Sequence, residues 1–311
     1  MKVAVFTEMN FTGKLPRSYE NMRTEFAWIC ALEATHYPIN SAHQIKYETK
    51  LDLGIVIIPK TNPDFNIDSI KSVCDKVAVM QEGPHWYFQD YSLEKQINYY
   101  NTLTSADIIY VHNKADKLYY RGLTGHSDVR VMNSLMIEQA VGDIEEVERK
   151  GVIIGGNFVS WYGGFDSYIV ANSQFEQVTA PTMGRKQEGE EQLLELLPYM
   201  NWKEWIHKLN EFKIGVHLMR THAAGTFALN CAYLGIPCIG YKGLDTQEIC
   251  HPNLTVELGD IEIFTILIVK QQKQIIKKNT MKISLIQPSR NNLKYLKWSY
   301  DSIRKNQGDH E

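Results

Sequence analysis

Arg220–Gly240 reads RTHAAGTFALNCAYLGIPCIG, and its reading decides the fold. An apolar run, Ile214–Met219, leads into it, and a second one, Ile236–Tyr241, carries its end. Between them lie a loop of small and polar residues and the Ala- and Leu-rich segment Thr226–Leu234, stopped by Gly235. Strand, loop, helix, Gly-Ile-Pro turn, strand is one βα unit followed by its parallel neighbour. The loop also has chemistry. Small residues let backbone N–H groups approach a ligand, the helix N-terminus supplies partial positive charge, Arg220 a full charge and Thr226 a hydroxyl. With Thr221, His222 and Gly225 between them, these residues suit a diphosphate. Neither GxxxxGK[ST] nor G-x-G-x-x-G is present, which weakens a nicotinamide reading.

The same rhythm extends in both directions. Upstream in the second half, strands are expected at Gly151–Ile154 and Gln177–Ala180, with helices at Gly164–Ala171, Glu188–Leu197 and Trp202–Leu209. In the first half, strands are expected at Lys2–Thr7, Leu53–Ile58, Lys76–Met80, Asp107–Val111 and Val129–Met132. Helices are expected over Tyr19–Ala34, Ile67–Val73, Leu93–Leu103 and Lys114–Tyr120. The charged run Asp143–Lys150 reads as a solvated linker or short helix. The fold class is α/β, with two Rossmann-like domains, 1–142 and 151–262, facing each other across a cleft. In such sheets ligands sit beyond the carboxyl ends of the strands.

Composition agrees. The 311 residues suit two domains, and 44% hydrophobic with 22% charged is ordinary globular usage. A formal charge of −3 gives no general drive toward nucleic acid or membrane. No apolar stretch is long enough for a membrane-spanning helix, and Met1–Phe6 is too short for a signal-peptide core. Five scattered cysteines without a CxxC fit reduced thiols and a cytoplasmic location, with no zinc site.

A second glycine-containing loop, Gly155-Gly156-Asn157, follows the strand at Gly151, and Gly163-Gly164 opens the next helix. Taken with Trp202–Val216 and Arg220–Gly240, this order resembles the donor-binding domain of GT-B glycosyltransferases, and the resemblance covers about residues 1–262. It implies transfer of a sugar from a nucleotide-sugar donor, as co-substrate, to a glycan or other hydroxyl acceptor, without a bound metal or cofactor. Residues 1–142 would serve the acceptor, and 151–262 the donor through Gly155, Gly156, Asn157 and the Arg220–Thr226 loop. A nucleic-acid acceptor stays open. So do an epimerase of the same architecture and a non-catalytic nucleotide- or glycan-binding module. Many retaining members carry Glu-x7-Glu here; His222 stands near the first position, Leu229 is seven on, and neither is acidic. The family's basic pair is not evident near Gly155.

In the first half, Met80–Asp90 (MQEGPHWYFQD) packs Glu82, His85 and Asp90 among Trp86, Tyr87 and Phe88. Aromatics stack on sugars or bases, and a carboxylate or imidazole can take a proton from an acceptor hydroxyl, so His85 and Glu82 are the catalytic candidates. His112-Asn113 ends the next strand and shares that edge. The resemblance turns the loop with Thr12 and Gly13 toward the cleft, and the loop with Gly184 and Arg185 toward the nucleobase. His36, His43, His126 and His207 read as surface or helix residues. After Glu262 no acid occurs until Asp301, and residues 263–311 read as a tail dispensable for the rest. Within it, Ser284–Asn292 (SLIQPSRNN) resembles the opening strand and loop of GT-A family-2-like glycosyltransferases.

Overall fold

The computed structural model describes residues 1–45, 50–59, 64–159, 162–182 and 186–277. The first half runs β1 (Val3–Thr7), α1 (Glu25–Ala31), β2 (Thr35–Pro38), β3 (Leu53–Ile58), α2 (Ile67–Lys71), β4 (Val77–Gln81), α3 (Leu93–Ser105), β5 (Ile108–Val111), α4 (Asp116–Thr124), β6 (Val129–Val131) and α5 (Glu138–Val141). The second half runs β7 (Val152–Ile154), α6 (Gly164–Asn172), β8 (Val178–Pro181), β9 (Glu195–Leu197), α7 (Trp202–Leu209), β10 (Ile214–His217), α8 (Thr226–Tyr233), β11 (Cys238–Tyr241), α9 (Asp245–Cys250), β12 (Thr255–Val256) and α10 (Ile261–Lys277).

Each half is one six-stranded sheet, ordered β2-β1-β3-β4-β5-β6 and β12-β11-β10-β7-β8-β9. Every pairing is parallel. β1 and β4 are buried along their whole length, as befits parallel strands covered on both faces. The expected α/β class with two Rossmann-like halves is therefore present. One apolar cluster runs through both halves, from Trp28, Met136 and Ile137 to Ile206 and Phe227, while the far face of each sheet has its own core.

Several expected elements differ. The helix foreseen over Tyr19–Ala34 is confined to α1, because Glu20–Arg23 are spent on contacts with the other half. The following edge strand β2 went unread, being short and ending in Pro38. Glu188–Leu197 forms no α-helix, only a 3-10 turn at Glu190–Gln192 followed by a strand. Gly189 takes φ +80, Glu190 turns inward, and Glu195–Leu197 pairs with β8, the Glu195 carboxylate accepting from Thr179 Oγ1 at 2.8 Å. Sheet pairing here overrides the helix propensity of Glu, Gln and Leu.

The linker is not merely solvated. Arg149 donates to the carbonyls of Asn210, Leu234 and Gly235 and to Asn210 Oδ1, a cation at the carboxyl ends of α7 and α8. His36 is a surface histidine neither by position nor by burial; it lies fully buried in β2. Beyond residue 262, α10 buries Phe264 and Ile268 in the second sheet's core. The strand, loop and helix expected at residues 282–305 lie outside the described residues.

Candidate functional site

The second sheet reverses its strand order between β7 and β10, so the crevice of an open α/β sheet falls between the loops that follow them. A cavity of about 130 Å³ opens there, lined by Gly155, Thr226, Asn230, Trp205, Tyr199 and Arg23, among others. Two glycines shape it. A Cβ on Gly155 would sit 2.5 Å from the ring of His217, so only glycine lets the β7 chain lie against β10's last side chain. Gly225 has φ +64, and its Cβ would fall 2.0 Å from Thr246 Oγ1, which instead donates to the Gly225 carbonyl at 2.8 Å. Thr226, which lines the cavity, then opens α8, whose first-turn amides have no partner within the helix.

His217 is buried against Phe227, and burial pushes its imidazole down to about 4. Its Nδ1 has no hydrogen-bond partner among the described residues. Asn157 is fully buried and holds the β7 loop in place. Its Nδ2 donates to Glu190 Oε1 at 3.1 Å, and the neighbouring Phe158 amide donates to Glu190 Oε2 at 3.0 Å. Gly156 accommodates Tyr162, whose Cβ lies 2.5 Å from where its own would be.

The Arg220–Thr226 loop divides. Arg220 turns away to Asp166, at 2.8 Å through Nε and 2.7 Å through Nη2, with a side chain 62% exposed. Thr221 is buried. The carbonyls of Ala223 and Ala224 accept from Asn113 Nδ2 (3.0 Å) and Ser134 Oγ (2.7 Å) of the first half. His222 reaches Asp116, Nδ1 to Oδ1 at 3.0 Å.

Asp116 is the residue that sequence reasoning missed. It lies buried in the first turn of α4 and also faces His85, whose Nδ1 is 3.5 Å from the same Oδ1. Asn113 Nδ2 donates to its Oδ2 at 3.2 Å. Burial alone would raise the Asp116 pKa; the hydrogen bonds from His222 and Asn113, with the His85 imidazole close by, outweigh it and hold the carboxyl well below its ordinary range. The bond to Asp116 raises His222 in turn. A carboxylate only accepts, so His222 turns its Nδ1–H toward it. His222 Nε2 lies against Gly243, where a Cβ would come within 2.1 Å. The His85 side chain is 31% exposed and packs on Tyr119, with ring centroids 4.2 Å apart. Asn113 accepts from the Asp245 amide at 2.9 Å, and Asp245 accepts from the Lys114 amide and Asn133, fastening the two halves at this knot.

Of the expected residues, His85 and His222 thus meet at Asp116, and Gly155 and Thr226 meet at the cavity. Glu82 follows buried Gln81, whose Nε2 donates to the Glu82 carbonyl at 3.2 Å. Phe88 stacks on fully buried Tyr99 and belongs to the core. Gly13 exchanges backbone hydrogen bonds with His36 at 3.0 and 2.8 Å, and Thr12 beside it is exposed. Gly184 and Arg185 lie outside the described residues. Among the described residues no group of three or more His, Cys, Asp or Glu could hold a metal ion, and no helix is long and apolar enough to cross a membrane.

No protein-family model and no curated protein matches the sequence. Solved structures do match. Sucrose-phosphate synthase from Thermosynechococcus elongatus aligns at TM-score 0.59 and 10% identity, over 99% of this chain and 98% of that one. Anabaena HepE, solved with UDP and glucose, aligns at 0.57 and 10%, over 89% and 91%. TarM aligns at 0.51 and 10%, over 77% of this chain but 55% of its own, so the chain spans about half of TarM's length. The architecture is GT-B. In GT-B terms, seven residues intervening after His222 lead to Asn230, not Leu229. Asn230 lines the cavity; with its amide turned to suit its neighbours, it accepts from Trp205 Nε1 and donates to the Thr226 carbonyl, both at 3.2 Å.

Proposed function

We propose that the chain is a glycosyltransferase that moves a sugar from a nucleotide-sugar donor to an acceptor hydroxyl. The observation that carries this is the cavity at the switch point of the second sheet, between Gly155 and the start of α8, with groups of the first half across it. The second half, extended through α10, takes the donor and residues 1–142 the acceptor. The α8 amides and the Thr226 hydroxyl stabilise the charge that develops on the leaving nucleoside diphosphate, so that no metal or other cofactor is required. Asp116, kept ionised, orients His85 through Nδ1, which leaves His85 Nε2 to accept a proton. In an inverting transfer the acceptor oxygen bonds to the anomeric carbon, its proton passes to His85, and the carbon–oxygen bond to the diphosphate breaks. HepE's complex with UDP and glucose supports a uridine-based donor. Five free cysteines, four buried and Cys250 half-buried, support a cytoplasmic setting. Ser284–Asn292 we read only as a stretch similar to the opening strand and loop of GT-A family-2-like glycosyltransferases.

A thermal-shift panel of nucleoside diphosphates tests the reading first, because a ligand at 100 times its dissociation constant adds about 2.7 kcal/mol. Turnover of the matching nucleotide-sugar with acceptors then follows. His85→Ala is expected to lower turnover by roughly 10²–10⁴ with donor affinity nearly unchanged. If no diphosphate stabilises the protein, the proposal fails. Binding without turnover makes it a binding module, and sugar interconversion without acceptor makes it an epimerase.

A further inference from the structure

Just before α1, the segment Glu20–Arg23 of the first half crosses to the second. The Glu20 carbonyl accepts from the Lys203 amide at 2.8 Å, and Asn21 Oδ1 from the Trp202 amide at 3.3 Å. Two of the amides that the start of α7 leaves open are thus satisfied by the other half. Arg23 then donates from Nη2 to Tyr199 OH at 2.7 Å, with its guanidinium carbon 5.8 Å from the Tyr199 ring centroid. Both side chains line the cavity beside Gly155 and Thr226.

Two features of this clasp are unexplained by packing. A guanidinium carries five N–H donors, and that of half-buried Arg23 makes one side-chain hydrogen bond and no ion pair among the described residues. The other cation near the crevice, Arg220, is already committed to Asp166. In addition, the cavity of about 130 Å³ is well short of the roughly 300–1,000 Å³ of small-molecule sites. A nucleoside diphosphate therefore needs more room than the cavity now offers, and Arg23 and Tyr199 are two of the side chains that line it.

We propose that Arg23 is the phosphate-binding cation of this crevice, delivered by the first half, and that it exchanges its bond to Tyr199 for the diphosphate of the bound nucleotide. This rests on the donor reading above and names the group that reads the anion. The exchange is favourable because a phenol is a neutral, single acceptor. A diphosphate is an anionic one that takes the planar fork two bonds at a time. It also couples ligand to closure: the Glu20–Arg23 strap is held to α7 by its backbone, so the cation arrives only when the halves are together.

The test is calorimetry on the full chain with UDP, GDP, ADP, CDP and dTDP, then with the nucleoside of whichever binds. Arg23→Ala is expected to weaken the diphosphate by roughly 10- to 100-fold while leaving the nucleoside unchanged. Tyr199→Phe, which frees the guanidinium, is expected to tighten the diphosphate by roughly 2- to 10-fold. Equal loss for diphosphate and nucleoside in Arg23→Ala makes Arg23 a wall of the cavity and overturns the proposal, as does unchanged diphosphate affinity. Weakening by Tyr199→Phe overturns the exchange. A wild-type chain that binds none of the five diphosphates overturns the donor reading itself, a result distinct from the others. Circular dichroism melts accompany each variant, and Arg23→Lys, which keeps charge without the fork, should recover part of the lost affinity.

Discussion

Each sheet places a buried histidine in a strand beside its first one, and the two histidines live differently. In the first half, His36 of β2 is fully satisfied: Nε2 meets Thr7 Oγ1 and Nδ1 meets the Phe11 carbonyl, each at 2.8 Å. Phe11 stacks on its ring at 3.9 Å, and Gly13 pairs with its backbone. The loop after β1 is therefore bonded back onto its own sheet. In the second half, His217 of β10 presses on Gly155 and Phe227 with an Nδ1 that nothing described answers. The loop after β7 stays against it and leaves a cavity alongside. Around these two rings the sheets thus differ: the loop after β1 is bonded back by side chains and backbone, whereas His217 Nδ1, beside the Gly155 loop, meets no partner among the described residues.

The sharpest way to break this comparison is to remove each ring. His36→Ala should cost about 3 kcal/mol, through two lost hydrogen bonds, an orphaned Thr7 hydroxyl and a cavity under Phe11. His217→Ala should cost less, since no bond to Nδ1 is lost. Urea unfolding of the two variants side by side measures the difference; equal losses would show that the His217 environment is as structural as that of His36.

The second half was the more legible one because its signals are local. Between Ile214 and Tyr241, strand, loop, helix and strand fall within a few residues of their expected bounds, since Gly225, Gly235 and Pro237 punctuate an Ala-rich helix between apolar runs. Gly155 and Thr226 were readable for the same reason. The partners were not. His222 finds Asp116 across a separation of 106 residues and Arg23 finds Tyr199 across 176, distances over which no periodicity or spacing carries information. Arg220 likewise finds Asp166, on another helix and 54 residues away, a pairing that the βα loop by itself does not announce.

A second comparison sets Gly13 against Gly155. A Cβ on Gly13 would meet nothing within 4 Å, yet its φ of +139 is one that L side chains rarely adopt. Gly155 has the converse constraint, a blocked Cβ position at the His217 ring. Both alanine variants should lose about 1–3 kcal/mol, for strain at Gly13 and overpacking at Gly155. Only the second is rescuable. Adding His217→Ala to Gly155→Ala should recover much of the loss, a coupling that a double-mutant cycle in urea reads directly. Simple additivity there would mean that the close approach is relieved some other way.

The smallest effect expected is in the pH dependence of the knot between the halves. Folding raises the His222 pKa above its ordinary 6.5 and lowers that of Asp116 below its ordinary 3.8. A raised histidine lends stability that is complete below 6.5 and fades as pH rises through its folded pKa. A depressed carboxyl lends stability that is complete above 3.8 and fades as pH falls through its folded pKa. The pair is therefore worth most between about pH 4 and 6.5. Buried His36, His217 and His251 act oppositely: their pKa values are lowered by desolvation, so each withdraws stability as pH falls below 6.5. Wild type alone would mix these trends. Subtracting the stability of His222→Gln cancels them, because the three buried rings are present in both proteins. The difference should be about 1 kcal/mol or less, since the His222 side chain is 29% exposed and partly screened. It should be largest near pH 5–6 and shrink toward pH 9, as read from urea midpoints along the series. A difference that stays flat over that range would mean that His222 meets Asp116 as a neutral ring, and that the knot holds by hydrogen bonding without charge.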